Sequence, residues 1–194
     1  MKRLLVLCLC MTLFLSGCVR AGPPKAVDGT AWNEDWVTLG NALGVDTPEG
    51  LTAQESSDAL SAKGMYYATW SIGEAEPHIN EDGEDAQLYD AQVYLLAAGY
   101  DSTQKAEEAA EEWLAMANEQ YAVEETKAET YNGQEFIVIT YTYTSESNPY
   151  SRGASAFGTY GNYAVSAELS CQEGFEDGAL ETLENFLDHC HYAA

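Results

Sequence analysis

Asn132-Gly133 stands between residues 122–131, which alternate loosely between apolar and polar, and residues 136–143, an almost unbroken run of β-branched and aromatic side chains. Both turn residues tolerate positive φ, as a two-residue type I′ hairpin requires, so this dipeptide predicts an antiparallel pair. The run after the turn predicts a strand covered on both faces. A sheet is the framework the rest of the chain has to satisfy.

Other segments supply its strands. Residues 65–72 read Met-Tyr-Tyr-Ala-Thr-Trp-Ser-Ile, aromatic and β-branched. Residues 88–98 are similar, and the polar stretch 73–87 between them predicts a hairpin with a long acidic loop. Residues 153–160 and 163–171 flank Gly161-Asn162 and form a further hairpin, after a loop at 144–152 that holds Asn148-Pro149. Two segments are helical. After a cap at Ser102 or Thr103, the residues Ala106, Ala109, Ala110, Trp113, Leu114, Ala117 and Tyr121 recur at three- and four-residue steps. The opposite face carries Glu107, Glu108, Glu111 and Glu112, whose like-charge pairs four apart cost roughly 0.2–0.5 kcal/mol each. That helix needs its apolar stripe packed on something. The second helix starts at Glu176 or Ala179 and buries Leu180, Leu183, Phe186, Leu187 and Cys190. Upstream, Trp32, Trp36, Val37, Leu39 and Leu43 suggest an apolar opening segment. Thr52 and Glu55 have capping-box spacing, which predicts a short helix near 52–62, ended by Gly64, or else a loop.

The N-terminus has a different character. Lys2 and Arg3 precede a twelve-residue apolar or neutral run, which is too short to span a bilayer. Leu15-Ser16-Gly17-Cys18 follows and resembles the lipobox of bacterial lipoproteins. The resemblance implies a signal peptide at 1–17, removed on maturation, and acylation of Cys18 with palmitate-type chains. Each buried methylene contributes about 0.8 kcal/mol, so two or three chains hold where one only visits. The expected organisation is a leader at 1–17, the lipidated Cys18 with a spacer to residue 35, and one α+β domain over 36–194. Loss of Lys2 and Arg3 takes the formal charge from −24 to −26. That charge repels phosphate, which excludes nucleic acid as a partner, and keeps the domain off an anionic membrane surface. With 46% hydrophobic and 11% aromatic residues, bulk disorder is excluded as well.

Strand, strand, helix, two hairpins and a helix give an open, roughly six-stranded antiparallel sheet covered by amphipathic helices. Over residues 65–192 this order resembles the PsbP-like fold, shared by the extrinsic subunit of photosystem II, a Ran-binding import factor and some bacterial surface lipoproteins. The resemblance rests on element order, so it transfers no functional residue. It implies a binding or accessory role.

Candidate chemistry is sparse. The chain has no G-x-S-x-G, H-E-x-x-H or P-loop, and no cofactor is expected. Cys171 and Cys190 are either bridged or two buried thiols. A helix started directly after Cys171 carries Cys190 on the order of 20 Å away, so a bridge requires residues 172–178 to run back extended. His189-Cys190-His191 cannot converge on a metal while helical, because adjacent side chains diverge by about 100°. Asn80 and the acidic run Glu81-Asp82-Gly83-Glu84-Asp85 lack the alternate ligands of a calcium loop. Tyr141, Tyr143, Tyr150, Phe157, Tyr160 and Tyr163 crowd one hairpin region, by cross-strand packing or as a recognition surface.

These readings predict a lipoprotein anchored through Cys18 at the extracytoplasmic face of the cell membrane, acting as a non-catalytic module for a protein or small-molecule ligand. A hydrolase with a carboxylate pair and a divalent-cation-binding surface protein are the alternatives.

Overall fold

A computed structural model of the chain describes residues 30–32, 35–39, 43–57, 64–80, 83–144 and 148–192. The leader, Cys18 and most of the spacer lie outside the described residues, as do Glu81 and Asp82. In chain order the strands are β1 (Thr30–Trp32), β2 (Trp36–Leu39), β3 (Leu43–Asp46), β4 (Thr52–Ser57), β5 (Met65–Ile72), β6 (Glu76–Ile79), β7 (Asp85–Leu88) and β8 (Ala91–Gly99). Helix α1 (Thr103–Gln120) leads into β9 (Ala122–Tyr131), β10 (Gln134–Thr142), β11 (Arg152–Tyr160) and β12 (Tyr163–Cys171). Helix α2 (Glu176–Asp188) and β13 (Cys190–Tyr192) complete the chain. β1 falls inside the stretch assigned to the spacer.

The main sheet has seven strands in the order β4-β5-β8-β12-β11-β10-β9, every neighbour antiparallel. The expected α+β sheet with covering helices is present, with one strand more than the sequence reading counted. The extra strand is β4, where the capping-box spacing predicts a helix. Ala53 instead pairs with Trp70 and Ser57 with Tyr67, across a bulge. The backbone edge that β5 would otherwise expose outweighs a local capping signal, because a full ladder satisfies more amide groups than one cap. β10 lies second from the edge, and it is buried on both sides as its run of apolar residues predicts: Phe136 and Val138 face one core, Ile139 and Tyr141 the other.

Strand alternation therefore divides the sheet into two faces. On one, α2 lies over β11 and β12 with Ala179, Leu183, Phe186 and Leu187 buried. Beside it the small sheet β1-β2-β3-β13 inserts Val37, Leu39, Leu43 and Val45 into the same core. Trp70 joins the two, its ring 4.8 Å from Phe186 and its Nε1–H donating to Thr47 Oγ1 at 3.2 Å. On the opposite face α1 packs its stripe of Ala106, Ala109, Ala110, Trp113 and Ala117 over Met65, Ala98, Ile139, Phe157 and Ala164. Ser102 caps α1 by accepting from the Lys105 N–H at 3.3 Å.

The turn at Asn132 (φ 47°) and Gly133 (φ 77°) has the positive φ values of a type I′ hairpin. Asn132 does more than turn the chain. Its Nδ2 donates to the Asp188 carbonyl at 2.5 Å and the Cys190 carbonyl at 2.7 Å, tying the hairpin to the end of α2. Between β5 and β8, the stretch expected as a loop is itself a two-stranded ribbon of β6 and β7.

Candidate functional site

Helix α1 covers only part of its face of the sheet. Beyond Tyr121, at the helix end, the positions on this face are the half-buried Tyr67 on β5, Gln92 and Tyr94 on β8 and Glu168 on β12, with Thr69, Ser170, Ser155 and Tyr141 buried among them. Cross-strand register places them side by side: Tyr94 opposite both Thr69 and Glu168, Glu168 opposite Ser155, Ser170 opposite Gly153, and Gly153 opposite Tyr141. Tyr143 and Tyr150 join this surface from the β10–β11 connection. Asn148 shapes the approach to Tyr150, accepting from the Tyr150 N–H at 2.9 Å.

Glu168 is the centre. Its Oε1 accepts from Tyr141 at 3.0 Å, Tyr143 at 3.0 Å and Tyr121 at 3.5 Å. With Tyr141 donating to the carboxylate, Ser155 donates to the Tyr141 oxygen at 3.0 Å. Ser170 likewise donates to Tyr143 at 2.7 Å. The three tyrosine rings interlock, Tyr121 stacked on Tyr141 at 4.0 Å and Tyr143 edge-on to both, at 5.7 Å from Tyr121 and 5.5 Å from Tyr141. Gly153 makes room: a Cβ there would lie 2.4 Å from a Tyr141 ring carbon.

Burial lifts the Glu168 carboxyl above its ordinary value, against the pull of the hydroxyl bonds from Tyr143, Tyr141 and Tyr121. Burial likewise pushes the Tyr141 and Tyr143 phenols well above theirs, with the Glu168 charge adding to it. These tyrosines are neutral donors at any physiological pH. On the far side of Glu168, Tyr94 stacks with Tyr67 at 6.2 Å. Gln92 Oε1 accepts from both Tyr94 at 2.6 Å and Tyr150 at 2.7 Å. Burial and the neighbouring Tyr150, Tyr67 and Glu168 raise the Tyr94 phenol, and burial raises Tyr150 to about 12.

Of the aromatic residues singled out in the sequence, Tyr141, Tyr143 and Tyr150 meet here and Phe157 lies under α1. Tyr160 and Tyr163 point into the opposite core, where the Tyr160 hydroxyl is buried without a hydrogen-bond partner. Glu168, Tyr94, Tyr67 and Gln92 were missed. The signal was present in β12, where Ser166, Glu168 and Ser170 alternate with apolar residues. A polar row along a central strand marks a face that helices leave partly open.

The other candidates disperse. Cys171 and Cys190 are free buried thiols. Residues 172–178 contain the turn into α2 rather than an extended return, and α2 runs back over the sheet to leave Cys190 near Tyr160, at the opposite end of β12 from Cys171. The histidines diverge: His189 Nδ1 binds the Asn185 carbonyl at 2.8 Å, while the His191 ring occupies the space beside Gly44 across the β3–β13 pair. Cys190 faces the core between them and sits in β13, not on the α2 stripe. Among the described residues no group of three His, Cys, Asp or Glu side chains is placed to hold a metal, and no helix is long and apolar enough to cross a membrane. Ser102 and Lys105 have the S-x-x-K spacing of some acyl-transfer enzymes, but they are the exposed cap of α1.

No protein-family model and no curated protein sequence matches the chain. Among solved structures it is similar to a protein from Bacteroides thetaiotaomicron VPI-5482, at 9% identity and a TM-score of 0.47 over 77% of this chain. The match spans 44% of that longer protein. It is also similar to the cyanobacterial PsbP (CyanoP) of Synechocystis sp. PCC 6803, at 13% identity and a TM-score of 0.48, over 78% of this chain and 87% of that one.

Proposed function

We propose that the chain is a bacterial lipoprotein, tethered through Cys18 to the extracytoplasmic face of the cell membrane, and that its domain binds a ligand on the tyrosine face around Glu168 without transforming it. The observation that carries the binding role is the part of the sheet face beyond α1, where Tyr67, Tyr94, Tyr143, Tyr150, Gln92 and Glu168 gather on adjacent strands. Tyrosine offers large contact area at low entropic cost and a polar tip, which suits recognition. Glu168 has tyrosine hydroxyls as its partners, which hold the carboxylate in place among the rings. The anchor rests on Leu15-Ser16-Gly17-Cys18 and the short apolar run before it.

Two experiments test the two halves. Cys18→Ala moves the protein from the membrane to the soluble fraction and abolishes labelling by palmitate; unchanged partitioning defeats the anchor. For the binding half, the purified protein is equilibrated with an extract of its host's growth medium and re-isolated, and the retained small molecules are compared by mass spectrometry with those on Tyr94→Ala. A species retained unaltered by the parent and lost from the variant supports the reading. Turnover of that species places the protein among enzymes instead.

A further inference from the structure

We infer that the Glu168 face is a binding site for an organic cation, an ammonium head carried on a small apolar scaffold; the inference rests on the binding role proposed above and names its ligand class. The first argument is charge. All three phenol bonds to Glu168 land on Oε1, and among the described residues no hydrogen bond reaches Oε2. The described cations are committed elsewhere: Lys105 to Asp101, Lys127 to Glu184 and Arg152 to Glu124. A half-buried carboxylate held only by neutral donors keeps an uncompensated charge, which an incoming cation neutralises in a partly desolvated setting.

The second argument is the lining. Tyr94 faces Glu168 across the β8–β12 pair with Tyr67 stacked behind it, and Tyr143 closes the other side with its hydroxyl on the carboxylate. Aromatic faces are electron-rich, and rings gathered around a site favour ammonium groups, quaternary ones included. From β8 to β10 is three strand spacings, about 14 Å, with Glu168 on β12, the nearer to β8 of the two strands between. Rings therefore stand on both sides of Glu168, Tyr94 on β8 and Tyr143 just past β10. A bare divalent ion is a poor fit, since calcium takes six to eight oxygens and here one carboxylate oxygen is left. A neutral sugar or peptide would stack on the rings and could donate to Oε2, but would leave the Glu168 charge uncompensated.

The test uses the full protein in detergent with its tyrosine rings isotope-labelled. Tetramethylammonium and butylammonium are the cationic probes, and neopentyl alcohol is the neutral control of similar shape. The cations are expected to shift the Tyr94, Tyr143 and Tyr150 ring signals saturably in the millimolar range, with the alcohol leaving them in place. Glu168→Gln keeps an acceptor oxygen for the tyrosines and removes the charge, and should weaken the cations roughly tenfold or more. Tyr94→Leu, which leaves Glu168 intact, should weaken them by a similar factor if Glu168→Gln fails to fold. Equal response to the alcohol, or full cation binding by Glu168→Gln, overturns the inference and leaves the binding role standing. Silence of the rings toward all three probes also overturns it, and the extract experiment then decides the binding role separately.

Discussion

The Tyr143 hydroxyl lies 3.0 Å from Glu168 Oε1, so a residue just past the end of β10 reaches across β11 to a carboxylate on β12. Its proton is spoken for by the carboxylate, and the Ser170 hydroxyl at 2.7 Å must donate to it. Ionised Glu168 orders the whole network, and burial makes that ionisation costly.

The cost has a pH signature. The folded state holds the Glu168 proton more tightly than the unfolded chain does, because burial raises its pKa above the ordinary 4.5. Its contribution to stability is therefore complete below about pH 4.5 and is lost as pH rises through the raised value. Urea unfolding of the parent and of Glu168→Gln across this range checks it. The parent should lose stability relative to the variant on going up in pH; a gap that stays constant contradicts the assigned burial.

Removing the acceptor is a different perturbation. Glu168→Leu leaves Tyr141, Tyr143 and Tyr121 without their shared partner and should destabilise the domain by about 1–3 kcal/mol at neutral pH. Gly153→Ala attacks the same network from beneath, since the new Cβ overlaps the Tyr141 ring, and overpacking of this kind costs about 1–3 kcal/mol. Chemical denaturation measures both. A shift in the Tyr141 ring signal should accompany the glycine variant.

Asn132 separates conformational from hydrogen-bonding effects. Asn132→Gly keeps a residue suited to positive φ and loses only the two bonds to the Asp188 and Cys190 carbonyls, at about 1–2 kcal/mol. Asn132→Ala adds the left-handed strain, about 1 kcal/mol more. Equal thermal midpoints for the two variants would show that the turn carries no such strain.

The cysteines should be silent in the folded protein. Burial raises the Cys171 thiol to about 11 and Cys190 higher still, so neither presents a thiolate to a reagent. Iodoacetamide should modify both in urea and neither in buffer. Rapid alkylation in buffer contradicts the burial, and a missing pair of thiols in urea contradicts the free state.

How far the chain could be read in advance follows from where its information lies. The hairpins at Asn132-Gly133 and Gly161-Asn162, and both helices, rest on local signals that tertiary packing reinforces. β4 was misread because Thr52 and Glu55 carry a local helix signal while the reason to be a strand, the edge of β5, is distant in sequence. β13 was hidden in the same way, since three residues after a helix have no pattern until β3 lies beside them. The site was half legible. Tyr141, Tyr143 and Tyr150 are conspicuous as a cluster, but Glu168 is one of 32 acidic residues and only register shows that it faces them.

The central claim is the proposal that a ligand meets this protein on the tyrosine face. Ring-labelled tyrosine spectra of the full protein, recorded with and without the host's growth extract, test it most directly. The account predicts shifts confined to Tyr67, Tyr94, Tyr143 and Tyr150, with Tyr160, Tyr163 and Tyr131 unmoved. Shifts in the latter group, with the four face tyrosines unchanged, would contradict it.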